Sequence, residues 1–318
     1  MSASRNIIAL LVACIAFVGT AAALKTIQAE ERREAAANVL APSRTFDGPL
    51  AVDNAFFDGK APAAPAFVPI PTPPPDPVSA SAYIVGDVAT GQVYLKKNDM
   101  AILPFASMSK LITAIVSTDM YKPTDKITIT PAEAQVPPEL SGLVAGETFT
   151  ASELLYPMLM SSSNIAAEAL ASSTDRGKFL DLMKGYSWEI GMPGSYFADP
   201  TGLSSRNAGT ARGFFAMARY LYSKRPDILA ITRTTSYLVA TTTDHGSHDF
   251  VSIHPYVSYP GFIGGKTGHT DEALDTMLTI VSIGGHPIAV IVLHSVNQRA
   301  RDTAILLDRV SALIAAQN

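Results

Sequence analysis

From Ser79 onward the spacing of apolar residues changes twice, and that order constrains the fold more than any other feature of the chain. SAYIVGDVATGQVYLKKN carries two β-rich runs around the turn residues DVATG, which predicts a hairpin. Four stretches with apolar residues at helical spacing follow: SMSKLITAIVSTDM, ASELLYPMLMSSSNIAAEALASS, GKFLDLMKGYSWEIG and GTARGFFAMARYLYSK. The chain then returns to strands in TMLTIVSIGG and HPIAVIVLHSV, and closes with the helix RDTAILLDRVSALIAAQ. Early and late strands can bury their faces together only in one sheet. The expectation for residues 79–318 is an α+β fold, with an antiparallel sheet built from both termini, flanked by helices, and a helical subdomain inserted.

What precedes this segment has a different texture. Residues 25–78 lack sustained periodicity, and Ala61–Pro77 carries eight prolines in seventeen residues, which excludes helix and central strand. As polyproline II this piece would separate its ends by roughly 50 Å, a stiff linker. Residues 1–24 hold the apolar run Ile7–Val18, preceded by Arg5 and followed by GTAAA, which reads as an export signal. Ala21 and Ala23 suit signal peptidase, but the apolar run extends to Leu24, about 18 residues, enough for an uncleaved anchor at residues 7–24. LVAC at Cys14 resembles a lipoprotein cleavage site, yet the chain stays apolar beyond it. All three readings put the remainder outside the cytoplasm, in the periplasm, with a membrane tether in the anchored form.

Composition limits the chemistry. With 47% hydrophobic and 16% charged residues, a net charge of -4 and no Lys/Arg cluster, the chain has no electrostatic footprint for nucleic acid. Its single cysteine excludes an intrachain disulfide, a Cys-based zinc site and a haem attachment sequence, so no metal or cofactor is expected.

GFIGGKTGHTDEA, Gly261–Ala273, invites comparison with a phosphate-binding loop, but the required first glycine would fall on Pro260. Its flanks read as strand, so it is better taken as a strand on which Lys266 and Gly268 share one side and Thr267 takes the other. Gly268 would let a substrate backbone approach as an added strand, and a Lys-Thr pair suits a carboxylate. Upstream, Ser107 and Lys110 in PFASMSKLITAIV are three apart at a helix start, within reach of each other on one face. Lys110 is the only lysine with a serine three places before it. A capping serine followed by a surface lysine is the alternative. A lysine acts as a base only when neutral, so its free pKa of about 10.4 must fall by roughly three units. A second ammonium about 4 Å away supplies on the order of 4 kcal/mol at an effective dielectric near 20, and Lys266 is the candidate. In MSSSNIAAEALA, Ser162 and Asn164 are two apart in a turn between helices, placed either to shuttle a proton and hold a carbonyl or to cap a helix.

Ser-x-x-Lys, Ser-x-Asn and Lys-Thr-Gly in this order form the motif set of penicillin-binding proteins and serine β-lactamases. In AYIVGDVATGQVY, FASMSKLITA, FADPTGLSSRNAGTA and GGKTGHTDEA the chain resembles the D-alanyl-D-alanine carboxypeptidase family of low-molecular-mass penicillin-binding proteins, from about Ala80 to the end. The resemblance implies an acyl-enzyme hydrolase acting on peptidoglycan stem peptides and inhibited covalently by β-lactams. It implies Ser107 as nucleophile, Lys110 as base and Ser162 as proton relay, with Asn164, Lys266, Thr267 and Gly268 binding substrate. The amides of Ser107 and His269 would form the oxyanion hole, and Arg301 would support the carboxylate pocket.

Some positions depart from the pattern. Gly213 follows TAR where the family usually has Asp, and Leu274–Met277, LDTM, follows TDEA where Gly-Tyr or similar is usual. LPFASMSKLITA and MSSSNIAA resemble the endopeptidase branch, which cuts cross-links, so carboxypeptidase and endopeptidase both remain open. A catalytically silent wall-binding protein is a third reading, and the lack of a Glu-x-x-x-Asn element disfavours a β-lactamase. His245, His248 and His254 are expected in a surface loop rather than a metal site, since no HExxH helix accompanies them.

Overall fold

The computed structural model describes residues 76–137 and 141–316, so the signal, anchor and most of the linker readings lie outside the described residues. The first hairpin is β1 (Ala82–Asp87) and β2 (Val93–Lys97), turning at the expected DVATG. The helical middle comprises α1 (Lys110–Met120), α2 (Ala151–Met160), α3 (Asn164–Ser172), α4 (Arg176–Ile190), α5 (Ala211–Lys224) and α6 (Pro226–Thr232). The chain ends with β3 (Phe262–Thr270), β4 (Leu274–Ile283), β5 (His286–Ser295) and α7 (Arg299–Ala315). Among the described residues no helix is long and apolar enough to cross a membrane.

The five strands form one antiparallel sheet in the order β2-β1-β5-β4-β3. β5, from near the C-terminus, pairs with β1 with Ile84 opposite Ile291, which joins the two ends as the periodicity requires. β5 reads as a continuous apolar run because both of its faces are buried. Ala289, Ile291 and Leu293 face the helical body, while Ile288, Val290 and Val292 face Leu306, Leu307, Val310 and Ile314 of α7. Each of these Ile, Leu and Val side chains stabilises the fold by about 1.5–3 kcal/mol on burial, which makes β5 the central element between two apolar layers.

Two local features shape the site. Thr150 caps α2 in a reciprocal box with Glu153, and Ser163 caps α3 by accepting from the Ala166 amide at 3.1 Å. Capping of α3 therefore falls to Ser163, not to Ser162 or Asn164. Ahead of α1, Ala106–Ser109 form one tight 3-10 turn, and neither Phe105 before it nor Ser109, its last residue and the N-cap of α1, makes a side-chain cap. The capping alternative for Ser107 fails in the same way.

Candidate active site

The turn Ala106–Ser109 and the first turn of α1 place Ser107 and Lys110 on one side, with Lys110 Nζ 2.9 Å from Ser107 Oγ. Lys110 is fully buried. It also donates to Asn164 Oδ1 and to the carbonyl of Thr201, both at 2.7 Å. Both of these oxygens can only accept. A neutral lysine has two N–H bonds and one lone pair, so once those oxygens take the hydrogens the lone pair faces the Ser107 hydroxyl. That is the arrangement of a nucleophile with its base.

Thr201 belongs to a loop for which the sequence suggested no role, although Asp-Pro-Thr-Gly is a turn signal. Asp199 organises it. Its Oδ1 accepts from the Thr201 amide at 2.8 Å, the Thr201 hydroxyl at 2.7 Å and the Gly202 amide at 2.7 Å. Its Oδ2 accepts from the Ser204 amide and from Asn207 Nδ2. Burial works to raise the Asp199 pKa, but these bonds, led by the Thr201 hydroxyl and the Ser204 amide, hold it below 3.8. The carbonyl of Pro200 is fixed by Thr113 Oγ1 at 2.7 Å. Gly202 is required here, because a Cβ at its φ of +89° would lie 2.0 Å from the Ala106 carbonyl oxygen.

On the other wall, Lys266 of β3 is fully buried and donates to Ser162 Oγ at 2.9 Å and to the Thr267 carbonyl at 2.8 Å. Burial, then the charge of Lys110, then Arg299 push its pKa well below 10.5. Ser162 occupies the left-handed region with φ +64°, a strained conformation for a non-glycine residue, in the break between α2 and α3. A cleft of about 210 Å³ is lined by Ser107, Ser162, Asn164, Thr267, Gly268, His269 and Arg299, with Leu203 and Ile253 as apolar neighbours. Thr267 and Gly268 both line it although they alternate along β3, which is the edge strand of the sheet among the described residues.

The structure corrects two expectations. The arginine at the cleft is Arg299, whose Nη1 donates to the Gly268 carbonyl at 3.0 Å, whereas Arg301 is exposed and bonds Gln298. Residues two apart on a helix point about 200° apart, so only one of them can face β3. The three histidines do not form a surface loop. His245 and His254 are buried, and His248 lies in the ribbon Ser236–Val239/His248–Val251 with its Nε2 2.8 Å from Glu147 Oε1. His245 stacks on Phe149 at 4.4 Å. Burial carries the pKa of His254 to about 3, so the neutral ring accepts from the Tyr256 amide and donates through Nε2 to the Leu278 carbonyl. Among the described residues no group of three or more His, Cys, Asp or Glu is placed to hold a metal ion.

The family departures have local explanations. Gly213 donates its amide to the cap Thr210, and a Cβ there would lie 3.3 Å from Thr210 Oγ1, slightly tight against the capping hydroxyl. Thr276 donates to the Phe105 carbonyl at 3.0 Å, tying β4 to the nucleophile turn.

The family model for D-alanyl-D-alanine carboxypeptidase, peptidase family S11, matches residues 70–297. The chain belongs to this family. It is a serine-type D-alanyl-D-alanine peptidase. The D-alanyl-D-alanine endopeptidase of Pseudomonas aeruginosa is 28% identical over 228 residues, 69% of this chain and 72% of that one. The D-alanyl-D-alanine carboxypeptidase DacB2 of Mycobacterium tuberculosis is 27% identical over 241 residues, 74% of this chain and 80% of that one. Penicillin-binding protein D2 of Listeria monocytogenes, solved in its cefotaxime-bound form, aligns with a TM-score of 0.64 at 26% identity, covering 74% of this chain and 98% of that one.

Proposed function

We propose that Ser107 is the acylated nucleophile of a D-Ala-D-Ala carboxypeptidase that trims peptidoglycan stem peptides and is blocked covalently by β-lactams. The observation that carries this reading is Lys110 Nζ, 2.9 Å from Ser107 Oγ and held on its other sides by Asn164 and Thr201. Lys110 takes the Ser107 proton as Oγ attacks the carbonyl carbon of the penultimate D-Ala, with the amides of Ser107 and His269 receiving the oxyanion. The carbon–nitrogen bond then breaks, and Ser162, bonded to Lys266, passes a proton to the departing D-Ala amine. Water attacks the ester with the same groups in reverse. Lys266, Thr267 and Arg299 receive the terminal carboxylate, which gives Lys266 the negative partner that burial withholds from its charged form.

Labelling with fluorescent penicillin, followed by peptide mapping, tests the assignment: label on Ser107 in the native chain and none in Ser107→Ala. Equal labelling of the variant would overturn it. Cleavage of cross-links is the second reading, favoured by the near-equal likeness to an endopeptidase and a carboxypeptidase and by the open edge of β3. Digestion of purified sacculi separates the two, since cross-link cleavage yields monomeric muropeptides and carboxypeptidase action releases free D-Ala. The substrate and the apolar run at residues 7–18 support a periplasmic location, tested by cell fractionation.

A further inference from the structure

Asp275 is the second residue of Leu274–Met277, where the chain leaves its family's pattern. Its Oδ1 accepts from Arg299 Nη1 at 3.0 Å and lies 3.0 Å from His269 Nδ1. Three elements meet there. His269 on β3 is the register partner of Asp275 on β4, and Arg299 opens α7. The side chains of Asp275 and Arg299 are 14% and 25% exposed, against 51% for His269. Arg299 lines the cleft and Asp275 does not.

The contrast with Arg301 shows what Asp275 does. An arginine in the first turn of a helix ordinarily extends into water, as Arg301 does. Arg299 instead has one Nη pinned between the Asp275 carboxylate and the Gly268 carbonyl. A planar guanidinium held twice through one nitrogen keeps few orientations, and its other nitrogens stay available to a carboxylate. The Asp275 charge is met by Arg299 and by His269, and it lies outside the cleft lining, so the ligand meets the oriented guanidinium rather than the acid.

We propose that Asp275 is a specificity-determining positioning residue, which holds Arg299 at the cleft so that peptides ending in a free carboxylate are preferred over the same peptides with that end blocked. The proposal rests on the peptidase reading above. It is tested by measuring kcat and KM for an acyl-D-Ala-D-Ala peptide as the free acid and as its C-terminal amide, with the native chain, Asp275→Asn and Asp275→Ala, alongside thermal melts. The native chain is expected to favour the acid. Asp275→Ala should raise KM for the acid about tenfold and leave the amide within about twofold, collapsing the preference, with Asp275→Asn intermediate. A parallel fall on both peptides, an unchanged ratio, or a native chain that does not distinguish them would overturn the proposal alone. Turnover of neither peptide, with Ser107 unlabelled by penicillin, would overturn the peptidase reading and this proposal with it.

Discussion

A Cβ on Gly268 would lie 2.9 Å from the amide nitrogen of Ser107, so the strand that carries Lys266 and the turn that carries the nucleophile touch backbone to backbone. The same atom would sit 2.5 Å from Thr276 Oγ1 and 2.9 Å from the Phe105 carbonyl oxygen. The Ser107 and Phe105 contacts are backbone and cannot yield without moving the nucleophile turn, while the Thr276 hydroxyl could turn away only by giving up its bond to the Phe105 carbonyl. Gly268→Ala should cost about 2–3 kcal/mol of stability. Its rate of acylation by penicillin should fall by at least about 100-fold, because the reacting groups lose their alignment. Melting curves and labelling kinetics check both, and a variant that reacts at the native rate would refute the contact.

Lys266 keeps its site at a cost to the fold. Its folded pKa lies well below 10.5, first through burial and then through Lys110 and Arg299, so the unfolded chain binds more protons between the two values. Stability is therefore expected to rise as pH climbs from the folded value toward 10.5. Lys266→Met should remove that slope, raise stability near pH 7 by about 1 kcal/mol and abolish turnover. Thermal melts across pH 7–10 would decide it, and a destabilised variant with an unchanged slope would count against the account.

Asp199 carries the opposite dependence. Its folded pKa is below 3.8 because its five donors outweigh burial, so its contribution is complete above that value and is lost as pH falls through the folded pKa. Asp199→Asn turns an amide toward the Ser204 amide and Asn207 Nδ2, which only donate, and should cost about 2–4 kcal/mol at pH 7. The gap between variant and native chain should close at acid pH. Because the loop aims the Thr201 carbonyl at Lys110, kcat should also drop about tenfold or more. Urea titrations at several pH values and steady-state kinetics test the pair of effects together.

Leu274 has φ +51°, in the region that costs an ordinary L-residue roughly 1–2 kcal/mol, at a position where the family usually carries glycine. Leu274→Gly removes that strain but adds freedom to the unfolded chain, for a net gain of about 0.5 kcal/mol. A slightly higher melting temperature with unchanged penicillin labelling is the expected result, and a clear loss of stability would show that Leu274 packing outweighs its backbone strain.

Features that depend on neighbours in the chain were legible from the residues alone. Ser107 and Lys110 lie one turn apart, so any helical start brings them together. The DVATG hairpin, the break at Ser161–Ser163 and the apolar runs of β4 and β5 are likewise local, and the return to strands after the helices was enough to call for a sheet joining both ends. The order of three short motifs then pointed to the chemistry.

Contacts between distant segments depended on register and packing, which no local pattern encodes. Arg299 and Arg301 are equivalent by sequence, and only the rotation of α7 against β3 and the presence of Asp275 decide which one meets the cleft. Asp199 and Thr201 sit about 90 residues beyond Lys110 in a loop whose turn signal announced a bend but not its target. The histidines before β3 looked polar enough for a surface loop, yet stacking and carboxylate partners draw them inward. The residues set which groups could react, and the meeting of the helical body with the edge of the sheet brought them within hydrogen-bonding distance, because one wall of the cleft comes from the Ala106–Ser109 turn and the start of α3 and the other from β3.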